Sequence, residues 1–268
     1  VLFRSGTAPV NLVNKEYHKR AKVLLENWQD SGVLSSKIEA APDVNWSSIV
    51  ELSLLAPEAS ISEINKMCKT ASKYSLSSIC VNPAHVQRCV QVLGDDLPVG
   101  TVIGFPLGSN HHQIKVAEAE LAVAHGAKKL NMVINIGLLK TSNFQEVFEE
   151  IRSVRYACPE ADLTVILETG LLEPLQIIIA CMLCREAGVD DVMTSTGFSQ
   201  KGATPEGVSL MRSVLGDDLG VVASGGIKNR ENITRLLSAG ATRLSLPFYQ
   251  TDESIYGLFN HSDRPVDE

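Results

Sequence analysis

The sequence lacks any apolar run that approaches the roughly 18 residues of a membrane-spanning helix, and its N-terminus has no signal-peptide pattern. It also lacks a long run of Lys and Arg, and its formal net charge is −7. Nucleic acids and anionic membranes attract basic surfaces, so we expect neither as a partner. Together these absences favour a soluble protein of the cytoplasm.

The six cysteines lack the spacing of a disulfide framework or a zinc site. Cys181 and Cys184 form a Cys-x-x-Cys pattern, but this pair lies within an apolar run that is predicted to be helical. A zinc site needs a second pair of ligands, and a redox motif needs an exposed turn. We therefore expect reduced thiols packed in the core and no metal.

One unit recurs along most of the chain, in which an apolar strand is followed by a polar turn and an amphipathic helix. Several of these strands are almost wholly apolar, as is typical of a parallel sheet that is buried on both faces. The predicted strands are residues 50–55, 78–81, 99–104, 129–135, 163–169, 191–194, 220–224 and 242–246.

Helices are predicted between the strands and at both ends of the chain. Ser60 and Glu63 have the spacing of a helix N-cap with an acidic first turn, and Gly126, Gly188 and Gly240 lie where helices commonly end. The predicted helices are residues 11–30, 61–74, 83–93, 111–125, 143–156, 172–187, 205–214, 229–238 and, more weakly, 252–259.

Eight strand–helix units predict an α/β protein with a closed (β/α)₈ TIM barrel and an extra N-terminal helix. The alternative is an open doubly wound sheet, but no Gly-x-Gly-x-x-Gly follows the first strand, which disfavours a dinucleotide-binding fold. We expect a disordered or expression-derived tail at 1–10, a helical extension at 11–47, the barrel at 48–260 and a C-terminal tail at 261–268.

The chemistry of such a barrel lies where its strands end, so polar side chains at those positions are candidates for a site. Glu51 and Ser53 share one face of the first strand, and Asn131 interrupts the apolar fourth strand. A buried carboxylate needs partners, so Glu51 is either paired with a Lys or Arg of the barrel or part of a site.

Two glycine-containing turns also follow strands. The segment Thr194–Phe198 offers hydroxyl groups and close backbone approach, which suits an anionic or polyhydroxy ligand, although such clusters are often plain turns. Gly225 and Gly226 follow the seventh strand, where backbone N–H groups could approach a phosphate.

In this order, the segments resemble those of the deoxyribose-phosphate aldolase family. The resemblance implies a cytosolic class I aldolase barrel that needs no metal or other cofactor and cleaves 2-deoxy-D-ribose 5-phosphate to glyceraldehyde 3-phosphate and acetaldehyde. The matching segments are 79–83, 102–108, 132–137, 165–169, 194–198 with 202–204, and 223–227.

The resemblance also implies where the family's catalytic groups would lie, and the sequence departs from the family at these positions. The imine-forming lysine falls on Met193, the lysine that lowers its pKa falls on Val222, and the proton-transferring Asp falls on Asn131. The family's first-strand Asp appears as Glu51, and the lysine that usually precedes the fifth-strand motif is Thr164. No catalytic residue is intact, and Glu51, Ser53, Cys80, Thr164 and Thr194 would line the remaining pocket.

The implied phosphate site is altered as well. Gly197, Gly225 and Gly226 remain, but Pro247 and Phe248 replace the serine positions of the turn after strand eight. Proline has no N–H to donate, and phenylalanine has no hydroxyl. Tyr256 is a candidate for the family's C-terminal tyrosine, although twelve residues follow it.

Three functions follow from these differences. The first is a catalytically inactive protein that acts by binding or scaffolding, with a protein partner; other aldolase families double as cytoskeletal adaptors, which is an analogy only. The second is an active aldolase that uses a displaced lysine, Lys201 or Lys228. The third is a sensor that binds a sugar phosphate without cleaving it. Relatives are often dimers, so a homodimer is expected.

Overall fold

The computed structural model describes residues 10–31 and 45–249. In these ranges eight parallel strands pair in chain order and close into a barrel, which confirms the predicted TIM barrel. The strands are β1 (Val50–Leu54), β2 (Ser78–Val81), β3 (Val99–Ile103), β4 (Lys129–Val133), β5 (Asp162–Ile166), β6 (Asp191–Met193), β7 (Gly220–Ser224) and β8 (Arg243–Pro247).

Helices surround the barrel, and the predicted N-terminal helix is present. The α-helices are α1 (Val10–Asp30), α2 (Trp46–Ile49), α3 (Ile61–Lys73), α4 (Val86–Leu93), α5 (His112–Ala124), α6 (Ile136–Lys140), α7 (Phe144–Ala157), α8 (Pro174–Ala187), α9 (Pro205–Leu215) and α10 (Arg230–Ser238). Short 3₁₀ helices occupy Pro83–His85 and Thr169–Leu171. The predicted helix at 252–259, Tyr256, the predicted tail at 261–268 and residues 1–9 of the predicted tail at 1–10 lie outside the described residues, whereas Val10 begins α1.

Two strands, β4 and β5, end two and three residues earlier than predicted, because polar residues begin the loops that follow them. Asn135 was expected to end the fourth strand, but its side-chain oxygen accepts a hydrogen bond from the Leu138 N–H at 3.1 Å and thereby caps α6. Glu168 adopts a left-handed backbone conformation, with φ of 57°, which is incompatible with an extended strand. The polar ends of these two predicted strands therefore belong to the barrel mouth.

The predicted helix ends are confirmed at several positions. The Ser60 side chain accepts from the Glu63 N–H at 3.3 Å while the Glu63 carboxylate accepts from the Ser60 N–H at 2.8 Å, which forms a capping box. Gly188 ends α8 with φ of 76°, a conformation that glycine adopts without a steric penalty.

The main hydrophobic core lies between the outer faces of the strands and the helices. Helix α8 contributes a nearly continuous buried segment from Ile177 to Cys184. All six cysteines are buried free thiols, as the sequence predicts for core cysteines. None of the described helices has the length and apolar character that crossing a membrane requires.

Helix α1 packs across α8 and α9 and is part of the same core. Tyr17 is fully buried, and its hydroxyl donates to the Glu186 carboxylate at 2.7 Å. The Trp28 indole N–H donates to the Ser209 hydroxyl at 3.1 Å. These contacts attach the helix at two points along its length, so we expect it to unfold together with the barrel.

Replacing Tyr17 should therefore destabilise the whole protein. We expect Tyr17→Ala to lower the free energy of unfolding by about 3 kcal/mol, because it removes a buried aromatic ring, and Tyr17→Phe by about 1 kcal/mol. Val23 on the same helix is 51% exposed, so the control Val23→Ala should stay within about 0.5 kcal/mol. Urea unfolding measures all three, and equal effects of Tyr17→Ala and Val23→Ala would show that the helix is not docked.

Candidate active site

An apolar row crosses four neighbouring strands at the carboxyl end of the barrel. Val133 pairs in register with Ile166, Ile166 with Met193, and Met193 with Val222. The four side chains are buried and form one cluster, against which Phe105 packs. The two positions where the resemblance implies lysines thus belong to a continuous hydrocarbon surface.

Beneath this row lies a buried carboxyl group. Glu51 accepts hydrogen bonds from the Ser245 hydroxyl at 3.0 Å, the Asn131 amide at 3.1 Å and the Ser78 hydroxyl at 3.3 Å. Burial raises the pKa of Glu51, and the positive charge of Lys129 and the three hydrogen bonds oppose that rise. Within the described ranges no Lys or Arg pairs with Glu51, so its direct partners are neutral groups.

Asn131 completes the Glu51 network. Its amide also contacts the Cys80 sulfur at 3.4 Å, so this one side chain joins β1, β2 and β4 across the barrel interior. A carboxylate at position 131 would face the carboxylate of Glu51 and repel it, whereas the carboxamide donates to it. Burial and the nearby Glu51 raise the pKa of the Cys80 thiol well above its ordinary value, which keeps the thiol protonated at neutral pH.

Four charged side chains belong to the first residues of β4, β5, β6 and β8, at the opposite end of the strands from the apolar row. Thr164 is buried between Asn131 and Asp191 in the strand register. Asp191 forms an ion pair of 2.7 Å with Arg243, and Lys129 forms one of 3.5 Å with Asp162. Arg243 and Lys129 therefore pair with carboxylates that lie away from the barrel mouth.

The hydroxyl groups of Thr194, which follows β6, and of Ser53, in β1, are hydrogen-bonded to the backbone of neighbouring segments. The Thr194 hydroxyl donates to the Ser224 carbonyl and accepts from the Ser224 N–H, each at 3.0 Å. Ser53 similarly donates to the Leu246 carbonyl at 3.3 Å. The sequence predicts both as pocket residues; Ser53 belongs to the lining of the cavity at the mouth, and Thr194 does not.

Glu168 orders the turn that follows β6, a role that the sequence did not reveal. Its carboxylate accepts from the Thr196 N–H at 3.2 Å and from the Ser199 hydroxyl at 2.9 Å. The residue is buried and has a left-handed backbone conformation. A carboxylate at the end of an apolar strand was the available signal, because such a group must find donors nearby.

A buried ion pair orders the loops after β3 and β4, and the sequence analysis missed it. Lys115 is fully buried, lies 2.9 Å from Glu150, and also donates to the Gly108 carbonyl at 2.7 Å and the Val133 carbonyl at 2.8 Å. Glu150 in turn accepts from the Asn135 N–H at 2.9 Å. The ammonium group is satisfied by three oxygens, so Lys115 has a structural role at the edge of the mouth.

A cavity of about 330 Å³ opens beside the apolar row, between the loops that follow β1, β6, β7 and β8. Its floor includes the small polar side chains of Ser53, Ser224 and Ser245. This volume is near the lower limit for small-molecule sites. The other lining residues are Leu54, Leu55, Ala56, Pro57, Glu58, Thr196, Gly197, Phe198, Gly225, Gly226, Pro247, Phe248 and Tyr249.

The structure brings all five implied phosphate-site positions to this cavity. The backbone of Gly197, Gly225 and Gly226 is left-handed there, with φ of 81°, 85° and 72°. Pro247 has no N–H, and the Phe248 N–H donates to the Ser53 carbonyl at 2.8 Å. Glu58 is the one charged side chain among the described residues that line the cavity, so its wall offers an anion no cation.

The two loop lysines do not reach this site. Lys201 and Lys228 are exposed, and neither belongs to the cavity lining. Within the described ranges, no group of three or more His, Cys, Asp or Glu side chains is placed to hold a metal ion.

Comparison with known proteins identifies relatives that cover most of the chain. The model of the DeoC/LacD family aldolases matches residues 29–243. A deoxyribose-phosphate aldolase of Clostridium perfringens is 44% identical over 198 residues, which are 73% of this chain and 88% of the relative. One from Staphylococcus saprophyticus is 42% identical over 221 residues, which are 82% of this chain and the whole of the relative.

Solved structures show the same architecture. A putative deoxyribose-phosphate aldolase from Coccidioides immitis has a TM-score of 0.74 and 39% identity, and the match covers 82% of this chain and 92% of that one. The deoxyribose phosphate aldolase from Aeropyrum pernix, which is described as tetrameric, has a TM-score of 0.71 and 27% identity and covers 80% and 89% of the two chains.

The raised pKa of Glu51 predicts a pH dependence of stability. The folded state favours the protonated carboxyl, so this contribution is fully present below the ordinary glutamate pKa and is lost as the pH rises through the folded-state pKa. Glu51→Gln mimics the protonated form. Between about pH 4 and pH 8 we expect the variant to gain at least about 1 kcal/mol relative to wild type in urea unfolding.

Glu63 supplies a control of opposite sign. Hydrogen bonds from Ser60 and Tyr249 lower its pKa to about 2, so wild type should gain stability relative to Glu63→Gln as the pH rises through the acid range. A stability difference between wild type and Glu51→Gln that does not change with pH would contradict the assignment of Glu51 as a desolvated carboxyl.

Proposed function

Because the chain belongs to the DeoC/LacD family of aldolases, we propose that it is a deoxyribose-phosphate aldolase-like protein that binds its partners without catalysing the family reaction. The observation that carries this proposal is the apolar row formed by Val133, Ile166, Met193 and Val222. An imine needs an uncharged primary amine, and this row presents only hydrocarbon and a thioether. Loss of a covalent nucleophile typically lowers the rate by about 10³- to 10⁶-fold.

The residue at the family's proton-transfer position supports the same proposal. The carboxamide of Asn131 cannot accept a proton at neutral pH. Glu51, the carboxyl group closest to it in the hydrogen-bond network, already accepts three hydrogen bonds from structural groups. These two residues therefore form a satisfied structural network beneath the row.

The position of the loop lysines weighs against an active aldolase with a displaced nucleophile. Exposed lysines are hydrated and charged, and Lys201 and Lys228 both lie outside the cavity lining. An imine at either position would form away from the polar groups that line the cavity.

The cavity favours a second candidate function, which is binding of a sugar phosphate without cleavage. Three serines and the turns at Gly197 and Gly225-Gly226 could contact a polyhydroxy ligand. The described lining has no cation, and the Phe248 N–H already donates to the Ser53 carbonyl. We therefore expect weak binding of the phosphate group. We therefore rank this function below binding of a protein partner.

Exposed apolar side chains at the mouth are consistent with a protein partner. Leu107 is 72% exposed, and Phe198 and Tyr249 are each 53% exposed, on loops that follow three different strands. The whole barrel is retained around an altered site, as expected of a scaffold. A cytoskeletal partner is suggested only by analogy with other aldolase families. A homodimer is suggested only because members of the family are often dimers.

The decisive measurement follows the fate of 2-deoxyribose 5-phosphate. We expect no retro-aldol turnover above about 10⁻³ of that of the Clostridium perfringens relative assayed in parallel, and no mass adduct after borohydride reduction. Turnover or a trapped adduct would overturn the proposal, and loss of the adduct in Lys201→Ala or Lys228→Ala would then identify the lysine. Heat of binding in calorimetry without turnover would favour the sensor.

Restoring the amines tests how much of the site has been lost. We expect Met193→Lys with Val222→Lys and Asn131→Asp to remain at least about 100-fold below the active relative, because the phosphate turn keeps Pro247 and Phe248. Adding Pro247→Ser and Phe248→Ser should then raise the activity, and Met193→Leu is the neutral control. Strong activity from the first three changes alone would show that the turn is not limiting.

A further inference from the structure

Two serines on the floor of the cavity at the barrel mouth present hydrogen-bond acceptors to it. The Ser245 hydroxyl donates to Glu51 at 3.0 Å, and the Ser53 hydroxyl donates to the Leu246 carbonyl at 3.3 Å. A hydroxyl group has one hydrogen, so each serine has oxygen lone pairs left for the cavity that it lines. These oxygens suit a ligand that donates hydrogen bonds, which a phosphate dianion does not.

The turn after β8 adds little for an anion. Pro247 has no N–H, and the Phe248 N–H donates to the Ser53 carbonyl at 2.8 Å. The glycine turns after β6 and β7 have N–H groups, but the part of the lining that the structure describes places no cation beside them. An anion bound there would be repelled by Glu58 without a compensating positive charge.

The charge of the cavity favours a cation instead. Glu58 lies on the loop between β1 and α3, and its carboxylate is the one charged group in the described lining. The hydrogen bond from Phe248 to Ser53 joins the turn after β8 to β1, the strand that precedes this loop. The whole chain has a formal net charge of −7, which attracts cations at longer range.

Aromatic rings line the same cavity from two loops. Phe198 follows β6, and Phe248 and Tyr249 follow β8 with their ring centroids 5.6 Å apart. Phe198 also packs edge to face against Phe105, with 5.2 Å between the centroids. The faces of aromatic rings attract cations, and a guanidinium stacks on them especially well because it is planar and weakly hydrated.

We propose that this cavity binds an arginine side chain of a protein partner. The guanidinium lies between Glu58 and the aromatic rings, and its N–H groups donate to the serine oxygens. This inference rests on the proposed function, because it names the chemical group by which the partner is recognised.

The size of the cavity and its rim fit a single anchoring side chain. Its volume of about 330 Å³ is near the lower limit for small-molecule sites, yet it accommodates one long side chain. Leu107, Phe198 and Tyr249 are exposed around the mouth and would contact the partner on either side of the arginine. A central arginine surrounded by apolar contacts that exclude water is a common arrangement at protein interfaces.

The test is titration of the full chain with Nα-acetyl-L-arginine methylamide, followed by the NMR signals of the Gly197, Gly225 and Gly226 amides. The citrulline analogue is the matched control, because it replaces the guanidinium with a neutral urea of nearly the same shape. We expect saturable shifts with a Kd of about 1–30 mM, and binding of the citrulline compound at least about 5-fold weaker. Added salt should weaken binding of the arginine compound and leave that of the citrulline compound unchanged.

Variants of the lining separate the charge from the rings. We expect Glu58→Gln to weaken binding of the arginine compound by about 5-fold and Tyr249→Leu by about 3-fold. Both positions are exposed, so neither change should disturb folding. Glu120→Gln removes the same charge from an exposed position of α5 outside the cavity lining and should leave the Kd unchanged.

Several results would overturn the proposal. They are the absence of saturable shifts, equal affinities for the arginine and citrulline compounds, an equal effect of Glu58→Gln and Glu120→Gln, and tighter binding of inorganic phosphate or of the lysine analogue at the same amides. A retro-aldol assay of the same sample tests the proposed function separately. Turnover would contradict the absence of catalysis whether or not arginine binds, whereas missing arginine binding without turnover would contradict this inference alone.

Discussion

The contact between Met193 and Val222 is the feature on which the character of this protein depends. The two side chains lie in register on neighbouring strands and extend the hydrocarbon surface begun by Val133 and Ile166. Such an apolar surface offers water no hydrogen bonds, and a lone charge placed there would be strongly disfavoured. The family's lysines and this apolar row require the same two positions, so one chain can have only one of them.

The rest of the barrel interior is consistent with that exclusion. Glu51 would repel a second carboxylate beside it, and the structure has Asn131 there, donating a hydrogen bond. The ionised groups Asp191 and Arg243 pair toward the opposite end. The carboxyl ends of four strands thus present hydrocarbon, whereas the charged pair Asp191–Arg243 is formed by residues at the starts of β6 and β8.

Buried polar contacts hold the loops around the mouth in place. Lys115 and Glu150 join the loops after β3 and β4, and Glu168 orders the turn after β6. Breaking a buried pair such as Lys115–Glu150 typically costs about 3–5 kcal/mol, because it leaves an uncompensated charge. Such contacts maintain loop positions whether or not the loops bind a substrate, which is compatible with a role in binding.

The sequence alone determined the barrel, the order of its eight strands and most helix ends, because local periodicity and capping residues encode these features. It also determined that Met193 and Val222 carry no amine. Only the tertiary structure decided that they join one row, that Glu51 meets Asn131 across the barrel, and that Lys115 pairs with Glu150. These contacts depend on strand register and helix packing between residues distant in the chain, which no local pattern specifies.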